Sequence, residues 1–304
     1  MSNILRIGMQ YFASNTINYA TQFERELVQK YTREMLTSGL TTKKVSFVNA
    51  NTIKLPYVIV GGYKDHSRGG GFNRQNLENK WITKVLDFDR DVEFFVDAMD
   101  VDESNQVVAA ANITNTFVAE KAIPETDAYR LSKLHSDFIA AGGTTDTTAL
   151  TVANILTTFD KWMEQMDEDE VPEEGRILYV TPAISTMLKD AEKIQRTIDV
   201  SKQNGIDRRV RSLDDVTIQK IPSGRMKTKY DFTDGYAPAT DAKQMNMILV
   251  HPSAVVACDK HSYIRLWAPG THTQGDGYLY QNRKYGDLFV LDTRTQGIKI
   301  NTQA

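Results

Sequence analysis

The sequence has little of what most chemical sites are made from. Cys258 is the single cysteine in 304 residues. That excludes an internal disulfide framework and fits folding in a reducing compartment. The five histidines, His66, His135, His251, His261 and His272, show no metal-ligand spacing with one another or with Cys258. No nucleophile elbow is present. Gly69-Gly70-Gly71 lacks the strand-loop-helix setting and the Gly-Lys-Ser/Thr ending of a phosphate cradle, and reads as a mobile tip. Asp87, Asp89 and Asp91 begin like a calcium loop. Val92 then stands where the turn needs glycine, and Ala98 where a bidentate glutamate is needed, so a solvated strand face is the better reading. The opening MSNILRIGMQYFAS has no signal-peptide core, and no apolar run approaches the ~20 residues that cross a bilayer. Positive charge is not in excess: the formal net charge is −3 and the pI is near 6.0. This argues against a sequence-reading DNA binder but not against a protein that merely encloses nucleic acid. No catalytic constellation, cofactor, metal site or membrane contact is therefore expected. What remains is 41% hydrophobic and 25% charged, an ordinary globular usage with room for a core.

The longest pattern runs from Asp100 to Ala141. Val107, Ala110, Ala111, Thr114, Phe117 and Val118 recur on one helix face, and Leu131, Leu134, Phe138 and Ile139 resume it. Asp102 or Ser104 can cap its start. Pro124, which lacks an N–H, predicts a kink or short break, and Gly142–Gly143 ends the run. An unbroken helix of this length would span about 60 Å, which makes it a strut. Ahead of it, residues 1–14 read as an extended arm. Ala20, Phe23, Leu27, Tyr31 and Met35 then form a helical stripe that Gly39 stops.

Between these helices the period changes to two. Ile53–Val60 reads as an edge strand because of Pro56. A stretch rich in Gly, charge and amide follows. From Trp81 onward Leu86, Phe88, Val92, Phe94 and Val96 take one face, and Asp87, Asp89, Asp91, Glu93 and Asp97 the other. The expectation is one long hairpin over residues 51–98 whose tip has no apolar face of its own. A structureless loop this long works on something outside its own domain. Its cations Lys64, Arg68, Arg74 and Lys80 are candidate contacts with whatever the loop meets. Further candidate contacts are Arg208, Arg209 and Arg211, which could meet phosphate or an acidic partner but read better as a solvated loop beside Asp214 and Asp215.

Residues 144–250 read as an α/β region. Thr151 can cap a helix that turns Val152, Ile155, Leu156, Phe159 and Met163 inward and ends in a solvated acidic run, Glu164–Glu174. Strand Arg176–Val180 runs into Thr181-Pro182, a cap with proline in the first turn. Met247–Val250 runs into His251-Pro252 in the same way. Val216–Ile221 is a further strand. The end is β-rich: Tyr263–Trp267, Leu288–Leu291 and Ile298–Ile300.

This order of elements resembles that of the HK97-type major capsid proteins of tailed bacteriophages. Met99–Leu134, with IPETDAYRLSKL, is similar to that family's junction between hairpin and long helix. Ile248–Pro269, ILVHPSAVVACDKHSYIRLWAP, is similar to its late strand, His-Pro turn and return strand. In DGYLYQNRKYGDLFVLDTRTQGIKI, Arg283, Tyr285, Asp287, Phe289, Val290 and Gly297-Ile298 match recurrent positions. Gly286 departs, standing where a second aromatic is often found. The resemblance implies an α+β HK97-type capsid fold. Its parts would be an N-terminal arm and helix (1–50), an extended hairpin loop (51–98), a spine helix of the peripheral domain (99–143), an axial domain (144–257) and peripheral return strands (258–304). It implies a non-enzymatic virion protein, assembled in the host bacterial cytoplasm into pentamers and hexamers of an icosahedral head around double-stranded DNA. A separate scaffolding protein and a portal are expected as partners, because the helix and hairpin patterns leave no room for a built-in scaffolding segment. An encapsulin-like shell around a cargo enzyme is the alternative. No Lys–Asn cross-link between subunits is expected, since no pattern ties Lys64 or Lys80 to Asn301.

Overall fold

The computed structural model describes residues 35–41, 52–66, 73–74, 77–97, 117–191, 212–273 and 275–304. The arm and most of the first helical stripe, the first half of the long helical pattern, and Arg208, Arg209 and Arg211 lie outside these residues.

Helix α1 (Ile123–Ala140) is the element on which the rest packs. Leu131, Leu134 and Phe138, three and four apart, bury one face. The break expected at Pro124 does not occur. The chain passes instead through one wide turn, Val118–Ala122, in which the Ile123 amide reaches the Val118 carbonyl five residues back. That wider spacing accommodates the donor Pro124 lacks. The Thr126 hydroxyl donates to the Ala122 carbonyl at 2.8 Å. The expected stop is where the sequence puts it. Gly142 sits at φ +87°, and the amides of Gly142 and Gly143 return to the carbonyls of Ile139 and Phe138.

A five-stranded sheet lies against one side of α1. Its strands are β4 (Ile177–Val180), β5 (Ser212–Leu213), β6 (Val216–Lys220), β9 (Met245–Val250) and β12 (Ile298–Thr302), in the order β12-β9-β4-β6-β5. Only β4 and β6 run parallel. Met247 and Leu249 face helices α2 (Ile155–Glu168) and α3 (Pro182–Asp190), while Ile248 and Val250 face the side of α1. With both faces covered, Met247-Ile248-Leu249-Val250 is apolar without alternation. The two Pro turns part company here. Thr181-Pro182 opens α3, without a bond from the Thr181 side chain. His251-Pro252 makes only a 3-10 turn, Pro252–Ala254, before the chain returns as a strand. Helix α2 also starts later than its pattern suggested. Asn154 accepts from the Thr151 amide at 2.7 Å, which holds residues 151–154 as a turn outside the helix. Val152 is left exposed, and Trp162 and Met166 join the buried face.

Strands β3 (Phe88–Asp97), β10 (Val255–Trp267) and β11 (Gly277–Val290) form a second, antiparallel sheet in the order β10-β11-β3. Among the described residues, strands β1 (Thr52–Ile59) and β2 (Glu78–Val85) pair only with each other, as do β7 (Tyr230–Asp231) and β8 (Ala237–Pro238). The single strand expected from Trp81 to Asp97 is thus two, bent at Leu86-Asp87. The reason is apolar cover: Phe88 stacks on Tyr129 at 3.8 Å, and Phe94 meets Phe117 and Tyr280. At Gly286, a Cβ would lie 2.6 Å from the Cys258 carbonyl oxygen. The aromatic often found there in the similar family has no space in this chain, because β10 bulges towards β11 at Asp259.

Candidate functional site

Two features stand out from this scaffold, a hairpin that leaves it and a polar junction that holds it together. The hairpin is the β1–β2 pair, in register from Thr52↔Val85 to Ile59↔Glu78. Successive side chains alternate, so Trp81 and Val85 share a face with Val58, whose partner is Asn79. Trp81 is 58% exposed, Val58 51% and Val85 53%. Val60, Leu77 and Tyr63 extend this apolar exposure towards the tip. The tip expected to be purely polar is therefore flanked by large apolar side chains, which the count of Gly, Arg, Lys and Asp across it had obscured. The Asn73 amide closes the end of the loop by donating to the Asp65 carbonyl at 2.9 Å.

Among the cations singled out in the sequence, Lys64 and Arg74 are exposed near this end. Lys80 is exposed and pairs with Glu78 on its own strand at 3.3 Å. Arg68, Arg208, Arg209 and Arg211 lie outside the described residues. The structure brings none of the described three to a common point. Asn301 is fully buried, accepts from the Asn246 amide and donates to the Thr148 carbonyl.

The junction is built by Pro124–Arg130, within the segment IPETDAYRLSKL. Asp127, shut off from solvent, accepts from the Thr37 amide at 3.1 Å and the Thr37 hydroxyl at 2.8 Å. Arg225 approaches the same carboxylate at 3.3 Å. Arg130 is almost as buried and donates to Asp259 at 3.1 Å and to the Thr41 hydroxyl at 3.0 Å. Residues 35–41 are thereby fastened to α1 and to β10, which Thr41 also bridges at Ala257. Glu125 holds Arg90 of β3 at 2.7 Å. Lys284 of β11 reaches Asp259 at 3.4 Å. Burial pushes the Lys284 ammonium down to about 8, an effect only partly offset by Asp259. Asp259 itself is held below the usual carboxylate range: burial would raise it, but Lys284 and Arg130 outweigh that. A cleft of about 1150 Å³ opens beside the junction, lined by Arg90, Phe94, Lys121, Tyr236 and Asn282 as well as Lys284.

Two charged pairs were hidden in runs read as solvated. Arg176 is completely buried and donates to Asp167, Val171 and Pro172, which ties the acidic loop after α2 to the sheet. Asp89 takes a two-pronged bond from Arg283, at 3.0 and 2.6 Å. Arginine against carboxylate in this form is a positioning device. Among the described residues, no buried side-chain nitrogen or oxygen lacks a partner. The junction spends its polar groups on one another, as a structural joint does.

No protein-family model matches this sequence, and no curated protein matches it. Solved structures do. The mature capsid of bacteriophage PhiM1 is similar with a TM-score of 0.62 and 17% identity, covering 84% of this chain and 82% of that one. The capsid of cyanophage P-SCSP1u gives 0.59 and 16%, covering 87% and 86%. A virus-like particle from Pyrococcus furiosus gives 0.50 and 9%, covering 93% and 99%. The fold of the described residues is that of the phage capsid proteins.

Proposed function

We propose that this chain is the major capsid subunit of a tailed bacteriophage, of HK97 type. Many copies assemble as pentamers and hexamers into an icosahedral head around double-stranded DNA, which they enclose without reading its sequence. The observation that carries this reading is the hairpin. In a capsid fold, it extends an apolar face and the exposed cations Lys64 and Arg74 beyond anything the described residues fold against it. A two-stranded hairpin is marginal alone, so its exposed face is completed by a second copy. Many such contacts, each modest, act together when a shell closes.

In this reading residues 1–50 are an arm, 51–98 the extended loop, 99–143 and 258–304 the peripheral domain and 144–257 the axial domain. A scaffolding protein and a portal are the partners in assembly, which takes place in the host bacterial cytoplasm. The chain is structural and not an enzyme, and the fully spent polar junction supports this. Subunits are not cross-linked through Asn301, whose amide is already committed at both ends.

The test is to replace Gly62–Asn79 by an Asn-Gly turn. Circular dichroism melting should show a folded chain, and negative-stain microscopy should show no closed shells. Regular shells from the truncated chain would overturn the reading. Native particles that hold protein cargo and no DNA would favour the encapsulin-like alternative.

A further inference from the structure

On the β2 side, the hairpin joins the body through two residues that belong to neither sheet. Ladder pairing of β1 with β2 ends at Thr52↔Val85, and pairing of β3 with β11 begins at Phe88↔Gly286. Leu86 and Asp87 lie between. A joint without ladder bonds should let the hairpin swing. From Leu86 to the outer end of β2 is about 27 Å, so a swing of roughly 10° would move that end by about 5 Å. A displacement of that size breaks a hydrogen-bonded contact with anything the hairpin meets.

Each residue of the joint is nevertheless held. The Leu86 carbonyl accepts from the Tyr285 hydroxyl at 3.2 Å, and the Leu86 side chain is buried with Ile53, Cys258 and Phe289. The Asp87 amide donates to Asp287 at 2.9 Å. Phe88 stacks on Tyr129. The Tyr129 hydroxyl in turn donates to the other oxygen of Asp287 at 2.7 Å, and the Leu288 amide donates to that oxygen as well. Asp287 is 4% exposed. Burial, partly offset by these donors, holds its carboxyl above the usual range. A buried carboxylate costs stability unless its donors are well placed. Here the donors come from the joint, from α1 and from β11, three parts whose relative direction the carboxylate therefore fixes.

We propose that Asp287 and Tyr129 are positioning residues that set the direction in which the hairpin leaves the body. The inference rests on the reading of the hairpin as the assembly arm for its purpose, but not for its test. That test measures direction in the unassembled full chain. Nitroxide labels are placed at Asn79→Cys near the outer end of β2 and Lys161→Cys on α2, both exposed positions. Cys258 does not compete for label, being buried, with its thiol pushed up to about 11 by that burial. Pulsed electron–electron resonance then gives the distance distribution between the labels.

The wild-type joint gives one narrow distribution. Tyr129→Phe keeps the ring stacked on Phe88 and removes only the hydroxyl. It should widen the distribution at least twofold at a temperature where circular dichroism remains native. Asp287→Asn, which sets an amide N–H against a donor, should widen it further. Lys229→Ala breaks a solvent-exposed ion pair with Asp241 and should leave the width unchanged, as a general loss of rigidity would not. If Asp287→Asn fails to fold, Tyr129→Phe alone decides. An unchanged width in Tyr129→Phe overturns the clamp. Shells built by the hairpin-truncated chain would instead remove the assembly reading and leave the clamp, measured in the free chain, standing.

Discussion

Along the hairpin, Val58, Trp81 and Val85 share a face on which each is more than half exposed. Across the seam between α1 and the five-stranded sheet, Leu131, Leu134, Tyr179 and Ile248 are closed off from water almost completely. Both regions use large apolar side chains at the spacing their secondary structure demands. They differ in where the opposing surface comes from. At the seam the chain supplies it, and the charged groups at the margin, Asp127 with Arg225 and Arg130 with Asp259, are paired within the chain too. At the hairpin the described chain supplies no opposing surface, and Lys80 pairs only with its own strand neighbour. In the proposed reading, stability and assembly rest on different parts of the molecule, and a substitution should move one without the other.

The largest effect expected is at the junction. Asp127→Ala leaves Arg225 without its carboxylate and Thr37 without its acceptor. It should cost about 3–5 kcal/mol, as breaking a buried pair from one side does, and urea unfolding measures it. Limited proteolysis should cut near residues 35–41 earlier than in the wild type. A loss below about 1 kcal/mol would mean that the junction is not what fastens this segment.

An intermediate effect is expected with pH. The folded chain releases the Lys284 proton near pH 8, whereas the unfolded chain holds it to about 10.5. Between pH 8 and 9 the unfolded state therefore binds more protons, and stability should rise with pH, by about 1 kcal/mol per unit. Above pH 9 the Cys258 thiol, pushed up by burial, works in the opposite direction. Lys284→Met should flatten the rise between pH 8 and 9 in urea unfolding, while Arg130 still partners Asp259. A slope that survives the substitution assigns the effect to another group.

The smallest effect on stability and the sharpest contrast are expected at Trp81. Trp81→Ser removes a half-exposed ring from a face that the described residues leave uncovered. The midpoint of unfolding should stay within about 0.5 kcal/mol of the wild type, while the yield of closed shells falls severely. A loss of several kcal/mol would place Trp81 in the core and erase the distinction between the two regions.

How much of this was legible beforehand varies with the range of the interaction. The helical stripe of Leu131, Leu134 and Phe138, the stop at Gly142–Gly143 and the strand run Met247–Val250 were readable because each is a local period or a local backbone demand. The wide turn before Pro124 was not, because proline states what it cannot donate but not how the preceding turn adjusts. Asp127 and Arg130 sit in a helical stretch and Arg176 opens a strand, and nothing local marks any of the three as buried. Their partners lie 9 to 129 positions away, and no local pattern reports such pairs. The apolar side chains flanking the hairpin tip were visible as letters. Composition merged them with the glycines and charges around them.

By itself, then, the sequence determined the order of the elements, the faces they bury and the absence of any recognisable motif for metal, phosphate or nucleophilic chemistry. These follow from side-chain period, from backbone limits at glycine and proline, and from residue type. Only the tertiary structure decided that Trp81–Asp97 is two strands, that β3 leaves the hairpin for β11, and that Asp287 and Tyr129 hold the bend between them. Pairing partners in a sheet are chosen by which apolar surface lies within reach after the chain has collapsed. For Phe88 and Phe94 that surface was assembled from Tyr129, Phe117 and Tyr280, which the sequence keeps far apart.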